Sequence, residues 1–172
     1  MGSVVYVETS VPSAYVSRRT DPGGMHRRGV TQDWWREQVA RYEVRISDAV
    51  VLELSEGDWP GKSEALRLVD PLPRFIVDAE VIAVAARYVE ERLVPAAVAG
   101  DAAHLAVACL HEVDFLLTWN TRHLANPNKL PHRTCLAVPG VILRSPQATE
   151  ESRRPESRIE MLRSAQHDRR AC

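Results

Sequence analysis

The chain has 172 residues, of which 45% are hydrophobic, and this length and apolar share fit one domain with a core of its own. The formal net charge is only −1 at pH 7, so bulk attraction of polyanions is excluded and any nucleic-acid contact has to come from a local patch. Three scattered cysteines argue against a disulfide framework or a zinc site, and the lack of an export signal or a long apolar run favours a reducing cytoplasm without membrane contact.

The N-terminal stretch predicts a strand followed directly by a helix. Residues 4–7 are β-branched or aromatic, and Pro12 suits the first turn of a helix for which Ser10 is a plausible N-cap. Glu8 and Thr9 therefore lie at the junction between the end of the first strand and the start of the first helix.

Residues 18–45 form a locally basic section, with seven arginines against four acids. The turn-forming residues 21–24 are expected to divide it into two helical pieces, the second carrying Trp34 and Trp35 at helical spacing. Arginines on such a helix can reach the phosphates of RNA or contact a partner protein. A solvated helical face, with the tryptophans in the core, explains the pattern equally well.

An alternation of strands and helices continues through the middle of the chain. Residues 44–46 predict a strand, 49–54 a helix with Glu53 in its second turn, 62–69 a short helix and 75–77 a third strand. Asp48 and Asp78 stand at helix starts, and we assign both to helix capping. This alternation is typical of an α/β fold with a parallel sheet.

Residues 101–123, DAAHLAVACLHEVDFLLTWNTRH, join an amphipathic helix to a buried strand and a polar cluster. Asp101 opens the helix, and residues 115–117 form a short apolar strand that ends in Thr118, Trp119 and Asn120. The helical stripe consists of Ala102, Leu105, Ala106, Cys109 and Val113.

Residues 78–92 predict one more amphipathic helix, which precedes the stretch 101–123.

The C-terminal part is expected to add little to the core. Residues 135–143 predict a weak edge strand broken by Pro139 and Gly140. Residues 144–172 carry seven basic and five acidic side chains and few large apolar ones. We therefore expect one domain over residues 1–143 and a polar, poorly ordered tail over 144–172.

Polar residues at strand ends and helix starts are expected to meet at one edge of the sheet, where open α/β folds place ligands. They are Glu8, Glu53, Asp101 and Asn120. Clustered carboxylates repel one another unless a hard cation such as Mg²⁺ or Mn²⁺ lies among them, and such a cation suits the hydrolysis of phosphodiesters.

Each of these residues also has a simpler explanation when it is taken alone. Asp101 is equally well explained as a helix cap and Glu53 as a solvated helical acid, whereas a surface turn is the less favoured explanation for Glu8. Asn120 and Thr118 suit a plain turn. The remaining polar and aromatic candidates are more simply structural, with His104 a hydrogen-bonded helix residue, His123 a loop residue and Trp119 a packing residue.

Known nucleotide and hydrolase motifs are missing from the sequence. The stretch at residues 57–63, GDWPGKS, resembles a phosphate-binding loop, but it has three intervening residues where four are needed, and it follows a helix. No GxGxxG or GxSxG motif occurs either.

Three motifs resemble those of the PIN-domain ribonucleases, and especially the VapC-type toxins of bacterial toxin–antitoxin pairs. They are VYVETSVPSAY, SDAVVLELSEGD and DAAHLAVACLHEVDFLLTWNTRHLAN, and the likeness covers about residues 4–143. The resemblance implies a three-layer α/β/α sandwich with a mainly parallel sheet, Mg²⁺ or Mn²⁺ at its acidic edge, endonucleolytic cutting of RNA and inhibition by a small antitoxin protein.

Carried across motif by motif, the resemblance implies a metal site of Glu8, Glu53, Asp101 and Asn120, which are then also the catalytic residues. Thr9 and Thr118 become supporting hydroxyls. Two positions depart from the family, which usually has Asp where this chain has Glu8 and often has Asp where it has Asn120. The site is therefore one charge poorer, since an amide offers a carbonyl oxygen without a charge.

Three functions remain open from the sequence. The first is a metal-dependent endoribonuclease acting as a toxin, which can form a homodimer. The second is a module of the same fold that binds RNA or an antitoxin without cutting. The third is a phosphoacceptor signalling domain. Such a domain is expected to have a lysine at a late strand end, whereas in this chain Lys62 follows a turn and Lys129 lies in a loop.

Overall fold

The computed structural model describes residues 2–91, 94, 99–121, 124 and 142–144. Its strands are β1 Val4–Val7, β2 Glu43–Ser47, β3 Arg74–Phe75, β4 Phe115–Leu117 and β5 Ile142–Arg144. Its α-helices are α1 Ser10–Tyr15, α2 Pro22–Glu37, α3 Asp48–Ser55, α4 Lys62–Val69, α5 Ala79–Glu90 and α6 Ala99–Leu110. A short 3-10 helix, Val39–Arg41, leads into β2.

The strands form a single sheet in the order β3-β2-β1-β4-β5. β1 pairs in parallel with a neighbour on each side, so that Val5 lies opposite Val44 in β2 and opposite Phe115 in β4. β3 is parallel to β2, and β5 runs antiparallel to β4. Helices α1 to α4 pack with one another, as do α5 and α6. The predicted three-layer α/β/α sandwich with a mainly parallel sheet is confirmed.

The two central strands supply the middle of the hydrophobic core. Tyr6, Val7 and all three residues of β4 are buried, and Leu54 of α3 is among the helical residues that are buried with them. Full burial of one such side chain stabilises the fold by about 1.5–3 kcal/mol. Because both faces of these strands are covered, their polar neighbours are confined to the strand ends, which is where the candidate site lies.

Several element boundaries differ from the sequence predictions. α2 is one helix that begins at Pro22, because Asp21 caps it by accepting a hydrogen bond of 3.0 Å from the Gly24 N–H; residues 21–24 start the helix instead of dividing it. Ser10 is the first helical residue and not the N-cap. α6 begins at Ala99, so Asp101 lies in its first turn. β3 covers residues 74–75 instead of 75–77.

The tryptophans of the basic section belong to the core and its border. Trp34 is buried, stacks on Tyr42 at 6.4 Å between ring centroids and meets the edge of Trp35 at 6.0 Å. Trp35 in turn contacts Tyr15 at 5.7 Å. Packing therefore accounts for these two rings, and any nucleic-acid contact of this section has to involve other side chains.

Several predictions concern residues outside the described part of the chain. They include His123, most of the expected edge strand at 135–143 and the tail from residue 145 onward. Residues 142–144 do form an edge strand, β5. Among the described helices, none combines the length and the apolar character that a membrane crossing requires.

Two glycine substitutions test how the backbone is built. Gly61 precedes α4 with φ of +97°, and a Cβ there would lie 2.8 Å from Cγ2 of Val16, whereas a Cβ on Gly29 in α2 would meet no atom within 4 Å. We expect Gly61→Ala to lower the free energy of unfolding by about 1–2 kcal/mol or more, because its left-handed backbone disfavours a Cβ. Gly29→Ala should raise it by about 0.5–1 kcal/mol. Urea denaturation followed by circular dichroism measures both, and equal effects would contradict the assigned backbone geometry.

Candidate functional site

The candidate residues are brought to one edge of the sheet by four different elements. Glu8 follows β1 and Thr118 follows β4, and these two strands are neighbours. Glu53 lies in the second turn of α3, which follows β2 on the other side of β1. Asp101 lies in the first turn of α6. Asn120, two residues beyond Thr118, donates from its side chain to Asp101, which connects the helix to the end of β4.

Glu8 is the deepest of the predicted acids, with only 4% of its surface exposed. Its N–H donates to the Leu117 carbonyl at 3.3 Å, and its carboxylate accepts from the Ser10 N–H at 2.9 Å and from the hydroxyls of Ser10 and Thr118. Burial raises the pKa of Glu8, although the charge of His104 and these hydrogen bonds oppose the rise. Glu8 therefore lies below the exposed surface of the site, where hydrogen bonds hold its carboxylate.

Glu53 is the more accessible acid, with 33% of its side chain exposed. Its Oε2 accepts from the Thr9 hydroxyl and lies 3.1 Å from Nε2 of His104. Partial burial acts to raise the pKa of Glu53, but the bond to His104, the charge of that ring and the Thr9 hydroxyl together hold the pKa below its usual range. A Cβ on Gly100 would overlap Oε1 of Glu53, so this glycine gives the carboxylate room against the first turn of α6.

His104 is the site residue that sequence reasoning treated as structural. It is 1% exposed, its Nδ1 lies 2.7 Å from the Tyr6 hydroxyl, and its Nε2 faces Glu53. Burial acts to lower the pKa of His104, but the bond to Glu53 and the charges of Glu8, Glu53 and Asp101 raise it above its ordinary value. The structure thus places an imidazole with a raised pKa among three acids.

The hydrogen-bond partners of His104 are compatible with a protonated ring. In that state Nε2 donates to Glu53 and Nδ1 donates to the Tyr6 hydroxyl, which can then donate to the Ser47 hydroxyl 2.7 Å away. In the neutral ring the Tyr6 hydroxyl donates to Nδ1 instead. Burial raises the pKa of Tyr6, which keeps the phenol neutral. Asp101 and His104 are three residues apart, which puts both on one face of a helix. This spacing is the signal in the sequence that could have identified His104 as a residue of the site.

Asn120 is a hydrogen-bond donor to Asp101. Its Nδ2 donates to Oδ1 of Asp101 at 2.9 Å, and its backbone N–H donates to the Thr118 hydroxyl at 2.8 Å. A carboxylate at this position would repel Asp101, whereas the amide forms a hydrogen bond with it. The amide therefore adds no further negative charge to an edge where one imidazole faces three acids.

The donor atoms of the site suit a hard cation, but they do not form a closed cage. Within the described ranges, no three His, Cys, Asp or Glu side chains form a group that can hold a metal ion. Mg²⁺ commonly uses only one or two protein carboxylates, with waters and substrate phosphates completing its shell. Of the three acids, the partly exposed Glu53 and Asp101 suit this open kind of binding better than the buried Glu8.

The protonation of His104 can be tested directly by NMR titration in the presence of EDTA. We expect the His104 pKa to lie above its ordinary value of about 6.5, and Glu53→Gln to lower it, because the variant removes the anion that accepts from Nε2. Glu64→Gln is the matched control, since it removes an exposed acid that pairs with Arg18. An unshifted His104 in Glu53→Gln would contradict the ion pair.

The pair of His104 and Glu53 also determines whether the protein gains or loses stability as the pH rises. Because the folded pKa of His104 is raised, its contribution is fully present below about pH 6.5 and is lost as the pH rises through the folded pKa. In EDTA, the free energy of unfolding of the parent should therefore fall more steeply above about pH 6.5 than that of Glu53→Gln. Urea denaturation measures both.

Comparisons with known proteins add no family assignment. A scan against protein-family models and a search of curated proteins both found no match to this chain. A fold alone does not define an activity, so the function has to be argued from the chemistry of the site.

Proposed function

We propose that this protein is a Mg²⁺- or Mn²⁺-dependent endoribonuclease and the toxin of a type II toxin–antitoxin pair. The observation that carries the proposal is the meeting of Glu8, Glu53 and Asp101 around His104, with Asn120 bonded to Asp101. Acids from three separate elements are costly to gather at one edge unless they serve a common purpose. Hydrolysis of phosphodiesters is the chemistry that such an edge suits.

The proposed division of roles follows from exposure and contacts. Glu53 and Asp101 hold the cation, and Asn120 offers its carbonyl oxygen beside them. Glu8 orients Ser10 and Thr118 from behind, and Thr9 orients Glu53 through its hydroxyl. When bound, the cation would polarise a phosphate oxygen and help an attacking water to lose its proton.

His104 has a positioning role in this proposal. It donates to Glu53 and adds positive charge beside Glu8 and Asp101, so the acids stay together before a cation arrives. Its burial keeps it away from an incoming phosphate, which excludes a direct role as a proton donor to the leaving oxygen.

The substrate and partner in this proposal come from the resemblance of the three sequence motifs to the PIN-domain toxins. On that basis RNA is the substrate, a small antitoxin protein is the inhibitor, and the protein acts in the cytoplasm, where it can form a homodimer. The local excess of arginine in residues 18–45 supports an RNA substrate, since these side chains bind phosphates.

A second candidate is a module that binds RNA or an antitoxin without cutting. The charge of the edge favours it, because His104 offsets part of the negative charge of the acids and Asn120 supplies a hydrogen-bond donor where a fourth carboxylate could stand. The two candidates differ in one measurable property, which is cleavage in the presence of a divalent cation.

Substitution of Asp101 tests the nuclease. Parent protein should cut end-labelled single-stranded RNA in Mg²⁺ or Mn²⁺ and not in EDTA, and Asp101→Ala should lower the rate by about a hundredfold or more, because it removes a cation-holding carboxylate. Asp33→Asn removes an exposed acid from α2 and should leave the rate unchanged. Gel analysis of the products gives the rates, and circular dichroism checks folding. A folded Asp101→Ala that cuts as fast as the parent would refute the assignment, and a parent that binds RNA but never cuts it would favour the second candidate.

Substitution of Asn120 tests the charge balance. Asn120→Asp replaces a donor 2.9 Å from Asp101 with a second carboxylate, so the melting temperature in EDTA should fall. Mg²⁺ should raise that temperature more than in the parent and should bind about tenfold more tightly, because each carboxylate–cation interaction is worth several kcal/mol before desolvation. Thermal melts and calorimetric titration measure the two effects. Equal Mg²⁺ affinity in both proteins would show that position 120 does not contact the cation.

A further inference from the structure

A groove of about 600 Å³ opens beside the acidic edge, between α1, the start of α2 and the end of β4. Its lining includes Ser13, Ser17, Arg27 and Trp119. Two further lining residues belong to the candidate site, since Ser10 donates to Glu8 and Asn120 donates to Asp101. The groove therefore runs directly into the edge where the acids meet.

Arg27 is the groove residue whose charge is available to a ligand. Within the described ranges, no carboxylate lies within ion-pair distance of its exposed guanidinium. Other arginines of the basic section are engaged: Arg18 with Glu64, Arg19 with Asp21, Arg28 with the Ser17 carbonyl, Arg36 with Asp33 and Glu37, and Arg45 with Glu43. The lining thus holds two arginines against one aspartate, which favours an anion.

Trp119 holds this guanidinium in place. The Arg27 guanidinium carbon lies 5.7 Å from the centre of the indole ring, within cation–π range. The indole Nε1 donates to the Thr31 hydroxyl at 2.8 Å, which fixes the ring, and the backbone N–H of Trp119 donates to the Ser10 hydroxyl at 2.8 Å, which fixes its main chain. An arginine stacked on a fixed ring loses less side-chain entropy when it binds a phosphate.

We infer that this groove binds the sugar–phosphate backbone of single-stranded RNA next to the scissile phosphate, with Arg27 as the phosphate contact and Trp119 as the platform that positions it. The inference rests on the proposed function for its substrate. It adds a binding surface on α1 and α2 that the acidic residues themselves do not define.

The size and lining of the groove favour this ligand over a protein segment. Its volume lies within the range of about 300–1,000 Å³ that is typical of small-molecule pockets and suits one or two nucleotides of a single strand. Serine hydroxyls at residues 10, 13 and 17 line one side, and they suit phosphate and sugar oxygens. A helical protein partner would instead need a row of apolar pockets, whereas among the described residues the apolar side chains of this lining are only Ala14 and Trp119.

The test is RNA binding in EDTA, where cleavage cannot interfere. Fluorescence anisotropy of a fluorescein-labelled oligouridine would be measured with the full chain across a potassium chloride series. Arg27→Gln should weaken binding about three- to tenfold and reduce the magnitude of the salt slope by about 0.7, as expected for one lost phosphate contact with a single strand. Arg36→Gln is the matched control, because it removes the same charge from an exposed site of the same helix, and it should bind as the parent does.

Each alternative outcome overturns the inference. These outcomes are a parent that does not bind the oligouridine, an Arg27→Gln variant with unchanged affinity and slope, or an equal loss in Arg36→Gln. Displacement of the RNA by polyglutamate as readily as by unlabelled oligouridine would assign the groove to an acidic protein segment instead.

Failure of the groove and failure of the nuclease can be told apart. Arg27-dependent binding by a parent that never cuts RNA would support the groove and refute the nuclease. Metal-dependent cutting by a parent whose RNA binding does not depend on Arg27 would do the reverse.

Discussion

The buried imidazole of His104 is the interaction on which the acidic edge depends. It connects α6 to β1 through Tyr6 and to α3 through Glu53, and the charges of the surrounding acids raise its pKa. In its protonated form the ring reduces the repulsion among the three acids, and the acids in turn stabilise the buried imidazolium. The ring and the acids therefore stabilise each other, and removal of either would alter the whole edge.

The two acids Glu53 and Glu8 differ in exposure and in the direction of their pKa shifts. The acid with a depressed pKa, Glu53, is also the partly exposed one, so it stays ionised where a cation can reach it. Glu8 is held deep by Ser10 and Thr118, where burial raises its pKa. The amide of Asn120 follows the same balance, because a further carboxylate beside Asp101 would need a cation to compensate it.

The acidic edge and the groove share residues, so a structural change in one of them affects the other. The Ser10 hydroxyl donates to Glu8 and accepts from the Trp119 N–H, which ties the platform under Arg27 to the deepest acid. Asn120 lines the groove and contacts Asp101. A ligand that moves Trp119 would therefore also disturb the hydrogen bonds of the acidic edge.

The sequence by itself determined the α/β alternation, and it predicted α4 and β4 to the residue. It also predicted that Glu8, Glu53, Asp101 and Asn120 meet at one edge of the sheet. These follow from local periodicity and from the rule that parallel strands end on the same side. Only the tertiary structure decided that the buried ring of His104 lies among the acids, that Trp34 packs in the core and that Arg27 faces a groove. Protonation and ion pairing depend on through-space distances between distant segments, which no local pattern records.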